Sequence, residues 1–110
     1  MTQPQITLDM KKNRMRIHKN TMKTLDYPDY IYILVNPGTK KIVITKAKQS
    51  DKDAIHIPKG VRSYCDIYST ELMEKISELN ENITINVSYR LSGEERKDHV
   101  IFDIRIIERI

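Results

Sequence analysis

Apolar and polar residues alternate with a period of two along much of the chain, broken by two stretches at helical spacing. The densest signal is Tyr30–Ala47. Two strand-like runs, Tyr30–Val35 and Lys41–Lys46, are joined by Asn36-Pro37-Gly38-Thr39. Tyr, Ile and Val suit a pleated, half-buried surface. Pro37 presets φ for the second position of a turn, and Gly38 supplies the positive φ that a type II turn needs next. This predicts a hairpin. Its first strand is apolar on both faces, with Ile31, Ile33 and Val35 on one and Tyr30, Tyr32 and Leu34 on the other. A hairpin with one wet face would alternate with polar residues. This one is expected to pack on both faces, within a two-layer domain or against a second chain.

Upstream, residues 1–8 read as a frayed arm or a short edge strand. In Asn13–His18, Arg14, Arg16 and His18 alternate with Met15 and Ile17, which predicts a strand with one basic and one apolar face. Asn20 suits an N-cap, and Thr21–Asp26 follows as a short helix with Met22 and Leu25 three apart, closed by Pro28. Residues 48–63 form a polar connector, in which Ile55 and Ile57 make a short strand or pinned loop beside Pro58. Tyr64–Tyr68 is the next strand. Ser69 then caps a helix over Thr70–Asn80 with an apolar stripe of Leu72, Ile76 and Leu79. Ile83–Leu91 alternates as a half-buried strand, Ser92–His99 is a charged turn, and Val100–Ile107 is the return strand. There Phe102, Ile104 and Ile106 share a face with Val100. Two units of the same order emerge, at about 10–47 and 64–107, without residue identity between them.

A chain of 110 residues suffices for one domain, and 1–110 is read as one. With no Trp and a single Phe, the core must rest on Ile, Leu, Val, Met and Tyr. No run approaches the roughly 18 apolar residues of a membrane span, and no signal-peptide stretch opens the chain, so a cytoplasmic protein is expected. Cys65 is alone and reads as a small buried hydrophobe. Charge is unevenly spread. Residues 1–24 carry six basic side chains against Asp9 alone, a balance of +5; the other 13 basic and 14 acidic residues leave −1. Such asymmetry points to a polyanion partner or to a solvated basic face.

The run Leu8–Leu25 resembles the opening of the AbrB/MraZ swapped-hairpin family. Asp9, Lys11, Arg14, Ile17 and Leu25 fit its pattern of an acidic residue, a Lys-Gly-Arg turn, a strand ending in Ile-Pro and a short helix ending in Leu. The hairpin follows on cue, so the likeness covers residues 8–47. The departures are a missing Gly, one extra residue before Arg14, and His18 in place of Pro. Asp29 stands where the family has an acid before the second strand. The chain also looks like short proteins of low-GC bacteria and their mobile elements. The element order predicts an α+β fold, two strand–helix–β-hairpin units around one sheet or barrel, and the resemblance implies that their hairpins interlock into a swapped-hairpin-like barrel. The resemblance also implies a DNA-binding transcriptional regulator, with Arg14 and Arg16, flanked by Lys11, Lys12 and Lys19, facing double-stranded DNA. Lys and Arg that neutralise phosphates release counterions, which makes such affinity steeply salt-dependent.

Other chemistry is declined. His18, His56 and His99 lack the spacing of a helical metal pair, and the three Gly form no phosphate loop. No catalytic constellation stands out, so neither an enzyme nor a cofactor is expected. The alternative to DNA binding is a protein-interaction or oligomerisation module, with a homodimer formed through the Tyr30, Tyr32 and Leu34 face.

Overall fold

The computed structural model describes residues 3–58 and 64–110. Residues 59–63 of the expected connector, and 1–2 of the expected arm, lie outside the described residues. Among the described residues, nine strands and two helices follow in order: β1 (Gln5–Asp9), β2 (Arg14–His18), α1 (Lys19–Thr24), β3 (Tyr30–Asn36), β4 (Lys41–Lys46), β5 (Ile55–His56), β6 (Tyr64–Tyr68), α2 (Thr70–Ser77), β7 (Ser88–Glu95), β8 (His99–Asp103) and β9 (Glu108–Arg109). The strands make one sheet of antiparallel pairs in the order β5-β3-β4-β8-β7-β1-β2-β6, with β9 beside β7, curled into a half-barrel that carries the two short helices. Strands of both units therefore share one sheet.

The expected hairpin forms, with Val35 opposite Ile42 and Asn36 opposite Lys41. Its turn differs from the expectation. The left-handed residue is Lys40, at φ 56°, and Gly38 has no positive φ. The cause is Asn36, whose Oδ1 accepts from Gly38 N at 3.0 Å and Thr39 N at 3.3 Å. That side-chain turn folds a four-residue loop, and the strain of reversal falls on its last residue.

The two helices also differ from their expected bounds. α1 starts at Lys19, so Asn20 is inside it rather than its cap, and His18 opens it with no side-chain cap bond. It stops before Pro28 acts. Asp26 N bonds Lys23 O at 2.9 Å and Tyr27 N bonds Met22 O at 2.8 Å, while Asp26 takes φ 59°. This is a Schellman ending with Asp in the place Gly usually holds. Ser69 caps α2 as expected, accepting from Leu72 N at 3.1 Å. α2 ends at Ser77, short of Asn80, whose Nδ2 instead donates to Ile104 O at 2.8 Å.

Four stretches correct the sequence reading. Residues 3–8 are no frayed arm or edge: β1 runs between β2 and β7, and Ile6 and Leu8 are fully buried. Ile83–Val87 is not strand. The Tyr89 hydroxyl receives Thr84 N at 2.9 Å and donates to Asn82 O at 3.1 Å, pinning a loop in which Asn86 turns left-handed and Ile85 is exposed. Ser92–Glu95, expected in a turn, continues β7. Residues 88–92 pair with β1 and residues 93–95 with β8, so this strand carries the sheet round its curl. Gly93 makes that bend possible. A Cβ there would lie 2.6 Å from Phe102 Cε2 and 2.9 Å from Val100 Cγ1. Finally, the return strand ends at Asp103. Its carboxylate accepts Arg105 N at 2.9 Å and turns the chain, so Ile106 is exposed rather than aligned with Phe102.

The core lies inside the curl. Ile6, Leu8, Met15 and Ile17 face Ile42, Ile44, Leu91 and Phe102, all without exposed surface. Each helix seals one side with a pair three residues apart, Met22 of α1 with its C-cap Leu25, and Met73 and Ile76 from α2. Burying each such side chain is worth about 1.5–3 kcal/mol. Cys65 is buried among them, and burial raises its thiol pKa.

Candidate nucleic-acid interface

The outer face of β7, β1, β2 and β6 gathers most of the expected basic residues. Cross-strand register aligns them in rows. Arg90, Thr7, Arg16 and Asp66 form one row; Ser88, Asp9, Arg14 and Tyr68 form the next. Alternation within a strand puts both rows on one face, with Met15 and Ile17 pointing the other way into the core.

The turn between β1 and β2 presents Lys11 and Lys12. Asp9 shapes it. Its Oδ1 accepts from Lys11 N and Lys12 N, both at 3.2 Å, and Asn13 supplies the left-handed residue at φ 50°. The other oxygen of Asp9 accepts from Arg14 Nη2 at 2.8 Å. A carboxylate this buried is tolerated because its lone pairs are met by three donors. Lys11 and Lys12 point outward and are exposed.

Arg14 and Arg16 are both engaged with acids. Arg16 grips Asp66 through two parallel bonds, Nε to Oδ1 at 2.8 Å and Nη2 to Oδ2 at 3.0 Å. Arg14 Nη1 stands 3.6 Å from the same carboxylate. The Arg16 hydrogen bond is the main cause that lowers the Asp66 pKa, with the charges of Arg16, Arg14 and Lys12 adding to it against desolvation. The same bond raises the pKa of Arg16. The Arg16 guanidinium also lies 4.0 Å above the centre of the Tyr64 ring, a cation–π contact.

Arg90 and His18 complete the face, and the sequence reading had singled out neither as a site residue. Arg90 has no carboxylate within ion-pair range among the described residues, and its Nε, like that of Arg14, is buried without a hydrogen-bond partner there. His18 Nε2 meets Thr7 Oγ1 at 2.6 Å. Burial lowers the His18 pKa first, and the charges of Arg90 and Arg16 lower it further, so the neutral ring is favoured. The exposed rings of Tyr64 and Tyr68 edge the face on β6.

The five expected residues are therefore only partly brought together. Lys11, Lys12 and Arg14 gather at one end of β2, and Arg16 shares the face of Arg14 from the middle of the strand. Lys19 opens α1 beyond the far end of β2, about 13 Å of strand from Arg14. The acids were the missed members. Asp66 lies fifty residues from Arg16, and only the β2–β6 register joins them. No sequence pattern announces that register. The other expected surface, Tyr30, Tyr32 and Leu34, has Tyr30 and Tyr32 half-buried and Leu34 44% exposed, so the chain leaves that face incompletely covered. No helix among the described residues is long and apolar enough to cross a membrane. No protein-family model, curated protein or solved structure matches this chain.

Proposed function

We propose that this chain is a DNA-binding transcriptional regulator of AbrB/MraZ-like type, built from two swapped-hairpin units. The observation that carries the reading is the crossed pairing of the units. β1, which precedes the first unit, pairs with β7, the middle strand of the second. Reciprocally, β5, which precedes the second, pairs with β3, the middle strand of the first. Like strands meet at the two junctions, β2 with β6 and β4 with β8. Hairpins exchanged in this way are what the resemblance of residues 8–47 implies.

On this reading Lys11 and Lys12 contact phosphates from their turn, joined by Arg90 on the sheet face and Lys19 from the start of α1. Arg14 and Arg16 frame the face and reach DNA only by sharing their guanidinium groups with Asp9 and Asp66. Fluorescence anisotropy with a random duplex at about 50 and 200 mM salt tests this. Binding should fall steeply between the two, and Lys11→Ala with Lys12→Ala should reduce the salt slope by about two. Absence of binding at the lower salt overturns the reading. The ion pairs favour a second one, a protein-interaction module without nucleic-acid affinity, in which the arginines only hold β2 to β1 and β6.

A further inference from the structure

Strand β3 has an outer edge that β5 covers only in part. β5 pairs with Tyr30 and Ile31 alone, and Ile57 N adds one bond to Asp29 O at 2.8 Å. The chain before β5 turns away, with Ala54 N bonded to Asp51 O and Asp53 left-handed at φ 67°. Backbone groups alternate sides along an antiparallel strand. Tyr30 O points to β4, where it receives Ala47 N at 2.9 Å, and Asp29 O points to β5. The N–H and C=O of Ile33 and Val35 therefore point to the outer edge, where no described backbone group meets them. Such groups are obligatory hydrogen-bonding sites.

That edge faces helix α2 across a groove. Two adjoining hollows, of about 330 and 310 Å³, share Val35 and Lys75. Ile33, Val35, Leu72 and Leu79 give the groove its apolar lining. Its charged lining is Asp53, Glu71 and Glu78 against Lys75, and Lys75 is already drawn to Glu71 at 3.4 Å. The groove is thus acidic in a chain whose net charge is +4. From Tyr32 to Pro37 the strand wall runs about 17 Å, and the facing helix α2, Thr70–Ser77, runs about 12 Å.

We propose that this groove binds an extended peptide of about five residues, with alternating apolar and basic side chains, as an added strand on β3. The peptide continues the ladder that β5 begins, antiparallel to β3. Its backbone meets the N–H and C=O of Ile33 and Val35. Its apolar side chains enter between Ile33, Val35 and Leu72, and its basic ones meet Glu71, Glu78 and Asp53. Main-chain bonds give affinity in such additions and alternate pockets give specificity. A second copy of this chain fits less well, because its own α2 would come to the same edge with the same acids. The inference does not rest on the DNA reading, and a DNA-binding result of either sign leaves it standing.

The test is titration of the ¹⁵N-labelled full chain with an acetylated, amidated hexapeptide of alternating Lys and Val. Amide shifts should appear at Ile33, Val35, Leu72 and Leu79, and hydrogen exchange at Ile33 and Val35 should slow at least tenfold. A peptide with Glu in place of Lys should bind at least tenfold more weakly. So should a Lys-Val peptide N-methylated at every second amide, which keeps the side chains but loses the ladder donors. The exposed double variant Glu71→Lys with Glu78→Lys should weaken binding at least fivefold with an unchanged melting temperature. Equal binding of the N-methylated peptide, or no shifts at those four residues up to 1 mM peptide, overturns the proposal. A concentration-dependent dimer in sedimentation that shifts the same residues without peptide overturns it too, and assigns the edge to a second copy.

Discussion

Strands β1 and β5 hold corresponding places in the pairing order, each just before its own unit and against the middle strand of the opposite one. β1 is five residues long, lies between two neighbours and buries Ile6 and Leu8 completely. β5 is two residues long, with one neighbour among the described residues, and only half-buries Ile55. Both begin from an alternating apolar pair. The difference lies in what each meets. β1 returns through the Asp9-capped turn to β2 and finds five consecutive partners on β7. β5 follows a chain that has just turned away at Asp53, and Pro58 cannot donate to a ladder. Strand length here is set by the partners available, and the shorter strand leaves part of β3 uncovered.

The comparison can be pressed where the units place matching side chains. The largest effect is expected at the helix anchors. Met22→Ala in α1 and Met73→Ala in α2 each delete a buried side chain and should each cost about 2–5 kcal/mol by urea denaturation. Equal costs would mean that both helices seal the core alike. A loss confined to one would assign the fold's stability to that unit.

Next comes the bend peculiar to the second unit. Gly93→Val drives methyl groups into Phe102 and Val100 and should cost about 1–3 kcal/mol. Pairing it with Phe102→Leu should recover part of the loss, since the ring edge is what the new side chain meets. Indifference to Gly93→Val would mean that the curl does not depend on that close approach.

The smallest effect belongs to the junctions between units. At one, Asp66 binds Arg16; at the other, Asp103 binds Lys41 at 2.9 Å and Arg105 at 2.8 Å. The pKa of Asp103 is lowered, mainly by the Arg105 hydrogen bond, and that of Asp66 is lowered, mainly by the Arg16 hydrogen bond. A carboxylate held below its unfolded value adds stability above that value, near pH 4, and loses it as pH falls through the folded one. Stability should therefore drop as pH falls below about 4, less steeply in Asp66→Asn. That variant should itself cost about 1–2 kcal/mol at pH 7, the low side of the roughly 1.5–3 kcal/mol of a hydrogen bond to a charged group, because solvent reaches the half-exposed Arg16. His18 acts in a higher window. Its lowered pKa makes the neutral ring the folded form, so its contribution declines as pH drops through about 6.5, and an NMR titration of its ring gives the folded value.

Much of the fold was legible in local pattern. The 30–46 hairpin, the Ser69 cap and the two helices rest on turn residues and spacing that act within a few positions. The misreadings arose where partners outside the segment decide. Ile83–Val87 alternates well enough for a strand, yet the ladder ends at Ser88 and a last bond from Met10 N to Val87 O, because the Tyr89 hydroxyl and the left-handed Asn86 hold the stretch as a loop. Ser92–Glu95 looks like a turn, yet pairing with β8 extends it. The candidate interface divided the same way. Basic alternation in β2 was visible; that Asp9 and Asp66 neutralise it was not, since one partner is in the capped turn and the other is across a fifty-residue register.

That register has a consequence for how such a chain can come apart or together. Arg16 and Asp66 are the central pair of the five that join β2 to β6. Had the two units been separate identical chains, a twofold axis at this point would set each residue against its own copy. An arginine would then face an arginine, or an aspartate an aspartate, and like charges would repel at the heart of the contact. Carrying both units on one polypeptide frees the two sides of the axis to differ, and opposite charges can meet there. The pair thereby selects against like units from two molecules meeting at this seam. A first unit that met another first unit would bring Arg16 to Arg16, and only the pairing within one chain, or a whole reciprocal swap, satisfies both.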